Sequence, residues 1–270
     1  MPYYRRDGLR FHYRSGGDGS PLFLQHGLGS DVEQPFALLS PLPGMRLIAF
    51  DSRGHGETRP LGPEAKLGFA AFADDLVAVL DHLGIRSAVV GGISMGAGVA
   101  LNVAFRYPAR VRALILIRPA WLDGPMPEPT RQLYTTIAGL IRRHGAREGR
   151  ARFLQSPDYL RILGGSPPVA ASFLGQFDRP RADETVAILE RLPADAPTRD
   201  LGGLTAIVAP TLVLGNRQDP VHPFAYGEEL ARAIPGAQFA EITPKAVSEV
   251  GHAADVRRAL SGFLLGLCEQ

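Results

Sequence analysis

The chain is poor in the residues that mark several common function classes. Of 270 residues one is cysteine, Cys268, so no internal disulfide can form and a reducing compartment is favoured. No apolar run approaches the roughly 18 residues a membrane span needs. The opening "MPYYRRDGLRFHYRSGG" has no apolar h-region, so the expectation is a soluble, cytoplasmic protein without membrane contact. Charge of one sign is lacking too: 29 Lys and Arg stand against 27 Asp and Glu, a net of +2. The arginines are scattered singly, which argues against nucleic acid as a partner. No metal-ligand spacing occurs, and "GGDGS" and "GGISMGAG" lack the Lys or acidic partner that nucleotide binding requires. Neither a metal nor a cofactor is expected.

What remains is a regular alternation. Short unbroken apolar runs ("PLFLQ" from Pro21, "RLIAF" from Arg46, "SAVVGG" from Ser87, "RALILI" from Arg112, "PTLVLG" from Pro210) predict strands buried on both faces. Helix-period segments lie between them, including "FAAFADDLVAVLDHLG" from Phe69 and "SMGAGVALNVAFRYP" from Ser94, stopped by Gly84 and Pro108. That order predicts a parallel sheet wrapped by helices, with "GLRFHYRSGG" as an antiparallel hairpin at one edge. After Ile117 the pattern breaks until Pro210. A stretch that long is no loop of a compact domain. The division expected is a core of residues 1–120 and 204–270, with a helical cap of residues 121–203 inserted between two core strands.

Gly92-Ile93-Ser94-Met95-Gly96 is a G-x-S-x-G set between a predicted strand and a predicted helix. The sharp turn required there strains the central residue and holds its hydroxyl out above the carboxyl end of the sheet. Ser94 is the expected nucleophile, and a serine needs a base. Of seven histidines, His12, His26, His55 and His82 precede it, and His144 in "IRRHG" reads as a solvated helix end. The order nucleophile, acid, histidine favours a late residue, and His252, on a loop before the last amphipathic helix, is the expected base. Asp219, after the strand of "PTLVLG", is the expected acid, with Asp123 as its rival. His222, three residues past Asp219, is expected to serve structure or the pocket wall. Leu28 after "FLQHG" and Met95 after the serine offer N–H groups for an oxyanion hole, and His26 is expected to brace its loop.

With "HGLG", "DSRGHGET", "GISMG", the strand carrying Asp219 and the "GH" of residues 251 and 252, the chain resembles α/β-hydrolase fold proteins. The likeness is to the capped serine hydrolases that include carboxylesterases, enol-lactonases and cofactor-free haloperoxidases. It implies a mostly parallel eight-stranded sheet flanked by helices, with an inserted helical cap. It also implies that Asp51, Arg53 and Gly54 hold loops around the nucleophile, and that His55 takes no part in catalysis. The segment from Gly215 to Asp219 is one residue longer than the family's Gly-x-x-Asp. The expected partner is a small, uncharged, partly apolar ester or lactone, with Trp121 and Val221 in its pocket. Carbon–carbon bond hydrolysis or perhydrolysis by the same triad stays open. So do a silent binding protein on this fold and a homo-oligomer.

Overall fold

The computed structural model describes residues 2–39 and 42–268, the side chain of Cys268 lying outside the described residues. Its strands are β1 (Tyr3–Arg6), β2 (Leu9–Gly16), β3 (Ser20–Gln25), β4 (Met45–Phe50), β5 (Ala88–Ile93), β6 (Val111–Ile117), β7 (Thr211–Gly215) and β8 (Gln238–Glu241). They form one sheet in the order β1-β2-β4-β3-β5-β6-β7-β8. The hairpin read from the N-terminal segment is β1–β2, with Tyr3 opposite His12, and β2 runs antiparallel to β4. All other neighbours are parallel.

The apolar runs are unbroken because both faces of the sheet are covered. Every residue of β5 and β7 is buried. Successive side chains point to opposite faces, so each strand feeds two cores. On one face Leu22, Leu24, Val89, Ile115 and Leu212 meet Phe36 of α1 (Glu33–Leu39) and Val256 and Leu260 of α9 (Glu249–Cys268). On the other, Phe23, Ile48, Val90, Leu114 and Val213 pack with α2 (Phe69–His82) and α3 (Met95–Arg106). At roughly 1.5–3 kcal/mol for each large apolar side chain removed from water, these two layers hold the strand ends in register. The site depends on that register.

Between β6 and β7 the chain forms α4 (Glu128–Leu154), α5 (Pro157–Gly165), α6 (Pro167–Leu174) and α7 (Ile188–Arg191). Gly145 breaks α4 with φ 73°, ending its first part just past His144. The segment "ADETVAILERLPADA", residues 182–196, is helical only over α7. Upstream of α7, Arg181 takes a positive φ of 56° and its guanidinium donates to the carbonyls of Gly56 and Thr58. The inserted helices dock through a broad apolar face. Tyr134, Ile137, Phe153 and Phe173 belong to the same contiguous cluster as α2 and α3. The last two helices are α8 (Phe224–Ala233) and α9. Among the described residues no helix is long and apolar enough to cross a membrane.

Candidate active site

Ser94 stands between β5 and α3 with φ 56° and ψ −110°, a region that costs any residue with a Cβ. Its N–H donates to the Ile117 carbonyl at 2.9 Å, so the neighbouring strand β6 fixes the strained turn. The flanking glycines are there for lack of room. A Cβ on Gly92 would sit 2.0 Å from the Gly96 carbonyl carbon, and one on Gly96 would sit 2.2 Å from the Gln25 carbonyl oxygen. Close strand–helix packing therefore selects the G-x-S-x-G pattern.

The histidine beside the serine is His222. Its Nε2 lies 2.8 Å from Ser94 Oγ, and its Nδ1 lies 2.9 Å from Asp219 Oδ2. Asp219 cannot donate when ionised, so Nδ1 carries the proton and Nε2 is free to accept from the serine hydroxyl. The turn after β7 builds this pair locally. Gln218 adopts φ 59°, and Asp219 Oδ1 accepts the N–H groups of Val221 (3.1 Å) and His222 (3.2 Å). Pro220 and Pro223 bracket the turn. Arg118, at the end of β6, donates from Nη1 to Asp219 Oδ2 at 3.2 Å. Burial raises the Asp219 carboxyl, but His222 and Arg118 together hold it well below the ordinary carboxylate range. Burial pulls His222 below its ordinary value; Asp219 opposes the shift and Arg118 adds to it.

His252, the base expected from chain order, is placed elsewhere. It is not on a loop but in the first turn of α9, its N–H donating to the Ser248 carbonyl at 2.9 Å. Its Nδ1 lies 2.9 Å from the Thr243 carbonyl, which fixes that nitrogen as the donor. Burial, reinforced by Arg118, pulls its pKa down to about 4. It lines a separate cavity with Ala37, Leu38 and Glu249. An early helix start thus turns the ring towards the β8 connection, and the position beside Ser94 is filled by His222. The rival acid, Asp123, is exposed.

Ser94, Asp219, His222 and Val221 border one cavity. Gly27 and Leu28 form one edge, where Gln34 Oε1 accepts from the Gly27 N–H at 2.8 Å. Met95 opens α3, so its N–H is among those a helix leaves without an internal partner. Tyr134, Val169 and Phe173 of the insertion supply the apolar wall. Trp121, expected in the pocket, is instead buried at 2% exposure with its edge on Phe69, 5.0 Å between ring centroids. As the largest side chain after β6, it fills the space between the insertion and α2.

The surrounding loops are braced as the resemblance implies. Asp51 takes His12 Nδ1 at 2.8 Å and the N–H groups of Val32 and Glu57. Arg53 forms a buried two-point pair with Asp75, 2.6 and 2.8 Å, and Gly54 sits at φ 75°. His26 spans its loop, Nδ1 donating to the Gly27 carbonyl at 2.8 Å and Nε2 accepting the Ser52 N–H at 3.1 Å. His55 is buried, with Nδ1 on the Arg53 carbonyl at 3.0 Å. Among the described residues no group of three or more His, Cys, Asp or Glu could hold a metal ion.

A non-heme haloperoxidase from Rhodococcus erythropolis is 31% identical over 257 residues, 86% of each chain. The dihydrolipoyllysine-residue acetyltransferase component of the acetoin cleaving system of Cupriavidus necator is 28% identical over 94% of this chain. The chain spans 64% of that relative's length. A solved thermophilic esterase from Thermogutta terrifontis superposes with a TM-score of 0.74 at 26% identity, covering 96% of this chain and 94% of the other. Residues 20–254 match the family described as the alpha/beta hydrolase fold. That match runs from β3 into α9 and takes in the Ser94 elbow, and the chain is a member of the alpha/beta hydrolase family.

Proposed function

We propose that the protein hydrolyses carboxylic esters or lactones through Ser94, His222 and Asp219. The observation that carries this reading is the unbroken relay from Asp219 Oδ2 to His222 (2.9 Å) and from His222 to Ser94 Oγ (2.8 Å). Both distances lie within the reach needed for proton transfer in a reactive complex. In this mechanism Ser94 Oγ attacks the acyl carbon while its proton passes to His222 Nε2. Asp219 holds the imidazole in the tautomer that can accept and stabilises the cation formed. The N–H groups of Leu28 and Met95 receive the oxyanion. His222 then protonates the leaving alkoxide, and water, deprotonated by the same nitrogen, releases the acid. The insertion of residues 121–203 acts as a cap, contributing wall to the acyl pocket and excluding water.

Ser94→Ala should fold normally and lose both hydrolysis of short p-nitrophenyl esters and covalent labelling by a fluorophosphonate. Retention of roughly a tenth of the rate would be far more than a triad without its nucleophile delivers, and would end the serine mechanism.

A further inference from the structure

The cavity beside Ser94 is lined by two cations, Arg118 and Lys245, and by one carboxylate, Asp219. That carboxylate is already committed, since its Oδ2 takes both His222 Nδ1 and Arg118 Nη1. Lys245, on the connection after β8, makes no ion pair among the described residues, although it is half-buried. Glu249, which borders the neighbouring cavity with it, is exposed and beyond ion-pair distance. Arg118 is 8% exposed, and its buried Nε has no partner. The residue is also held at a positive φ of 49°, its N–H tied to the Leu214 carbonyl at 2.7 Å. Strain of that kind persists only where the surroundings impose it.

Removing positive charge from water without an anion is costly. Lys245 has no paired anion among the described residues and Arg118 shares its one anion, Asp219, with His222, so the two beside a nucleophile call for a negative partner. We infer that the substrate is itself an anion, an ester or lactone bearing a carboxylate that sits between Arg118 and Lys245 while its acyl carbon faces Ser94. This rests on the hydrolytic reading above and narrows it, replacing the uncharged substrate expected from the sequence. The planar fork of Arg118 suits a carboxylate. Burial and the nearby Arg118 both pull the Lys245 ammonium below its ordinary value, a strain that a bound carboxylate relieves. An amphipathic ester then enters with its apolar part against Phe173 and Val169 and its charged end at Arg118 and Lys245.

Monomethyl glutarate and dimethyl glutarate share a chain and differ by one charge, and acid release from each can be followed by titration. The wild type should favour the monoester in kcat/KM. Lys245→Met should cut the mono-to-di ratio by roughly tenfold or more, the scale of a lost charge-assisted hydrogen bond, and Lys245→Arg should restore most of it. An unchanged ratio in Lys245→Met, with both activities still abolished by Ser94→Ala, would overturn the anion site and leave the hydrolase standing. Turnover that survives Ser94→Ala would instead overturn the hydrolase. If neither ester is turned over, glutarate itself should slow fluorophosphonate labelling of Ser94 in the wild type and less so in Lys245→Met. Equal protection in both, or none in either, would overturn the site.

Discussion

The connections after β7 and β8 each carry a histidine close to the nucleophile's end of the sheet, and they use it in opposite ways. After β7, two prolines and two backbone N–H bonds to Asp219 set an acid and its histidine three residues apart, both ring nitrogens engaged in one line to Ser94. After β8, the histidine falls inside a helix and gives Nδ1 to a backbone carbonyl. Burial disfavours the charged ring in both. Only His222 has a carboxylate in hydrogen-bond contact to offset that, as a general base must if it is to accept a proton during turnover. In the proposed mechanism the base is therefore set by which histidine shares a turn with the acid. Distance along the chain decides little.

The contrast can be broken by removing the carboxylate of each connection. Asp219→Asn should lower kcat by about 10⁴, because the amide stabilises the wrong imidazole tautomer. Asp255 is the counterpart after β8, its Oδ2 accepting Thr243 N–H at 2.8 Å and Thr243 Oγ1 at 2.6 Å. Asp255→Asn should change kcat by no more than about threefold, the scale of a surface-loop hydrogen bond. Steady-state kinetics on one ester decides it, and comparable losses in the two variants would erase the distinction.

A smaller effect concerns pH. The proposed mechanism needs His222 neutral, and its pKa lies below the ordinary 6.5, so the rate should hold as pH falls past that value and drop only further down. Arg118 disfavours the imidazolium; Arg118→Gln removes that repulsion, so the proton binds more readily and the acid limb of kcat should move to higher pH. A limb that stays put or moves lower would mean that His222 is not the titrating base.

Much of this was legible in the sequence, for identifiable reasons. Strands buried on both faces give continuous apolar runs, and β3 to β7 fall where those runs do. Ser94 was legible because close packing leaves no room for a Cβ at Gly92 or Gly96. The start of α9 lies earlier than the loop expected around His252. The missed signal was Ser248, whose Oγ accepts the Gly251 N–H at 3.0 Å and caps the helix. With that cap in view His252 is helical, and the D-x-x-H of Asp219 and His222 between prolines becomes the stronger pair. Trp121 is expected in the pocket, but a large apolar side chain serves a core equally well. Arg118 and Lys245 left no pattern. They are single residues on different strand ends, joined only by the topology β6-β7-β8.

The most direct test sets the two histidines against each other in one assay, the rate at which a fluorophosphonate labels Ser94. Labelling reads base-assisted activation of the serine and needs no knowledge of the substrate. His222→Ala should slow it by about 10² to 10⁴, the usual contribution of a general base, while His252→Ala stays within about threefold of wild type. Circular dichroism on both variants reports whether each is folded. A folded His252→Ala protein that has lost labelling, beside a His222→Ala protein that keeps it, would contradict the account at its centre.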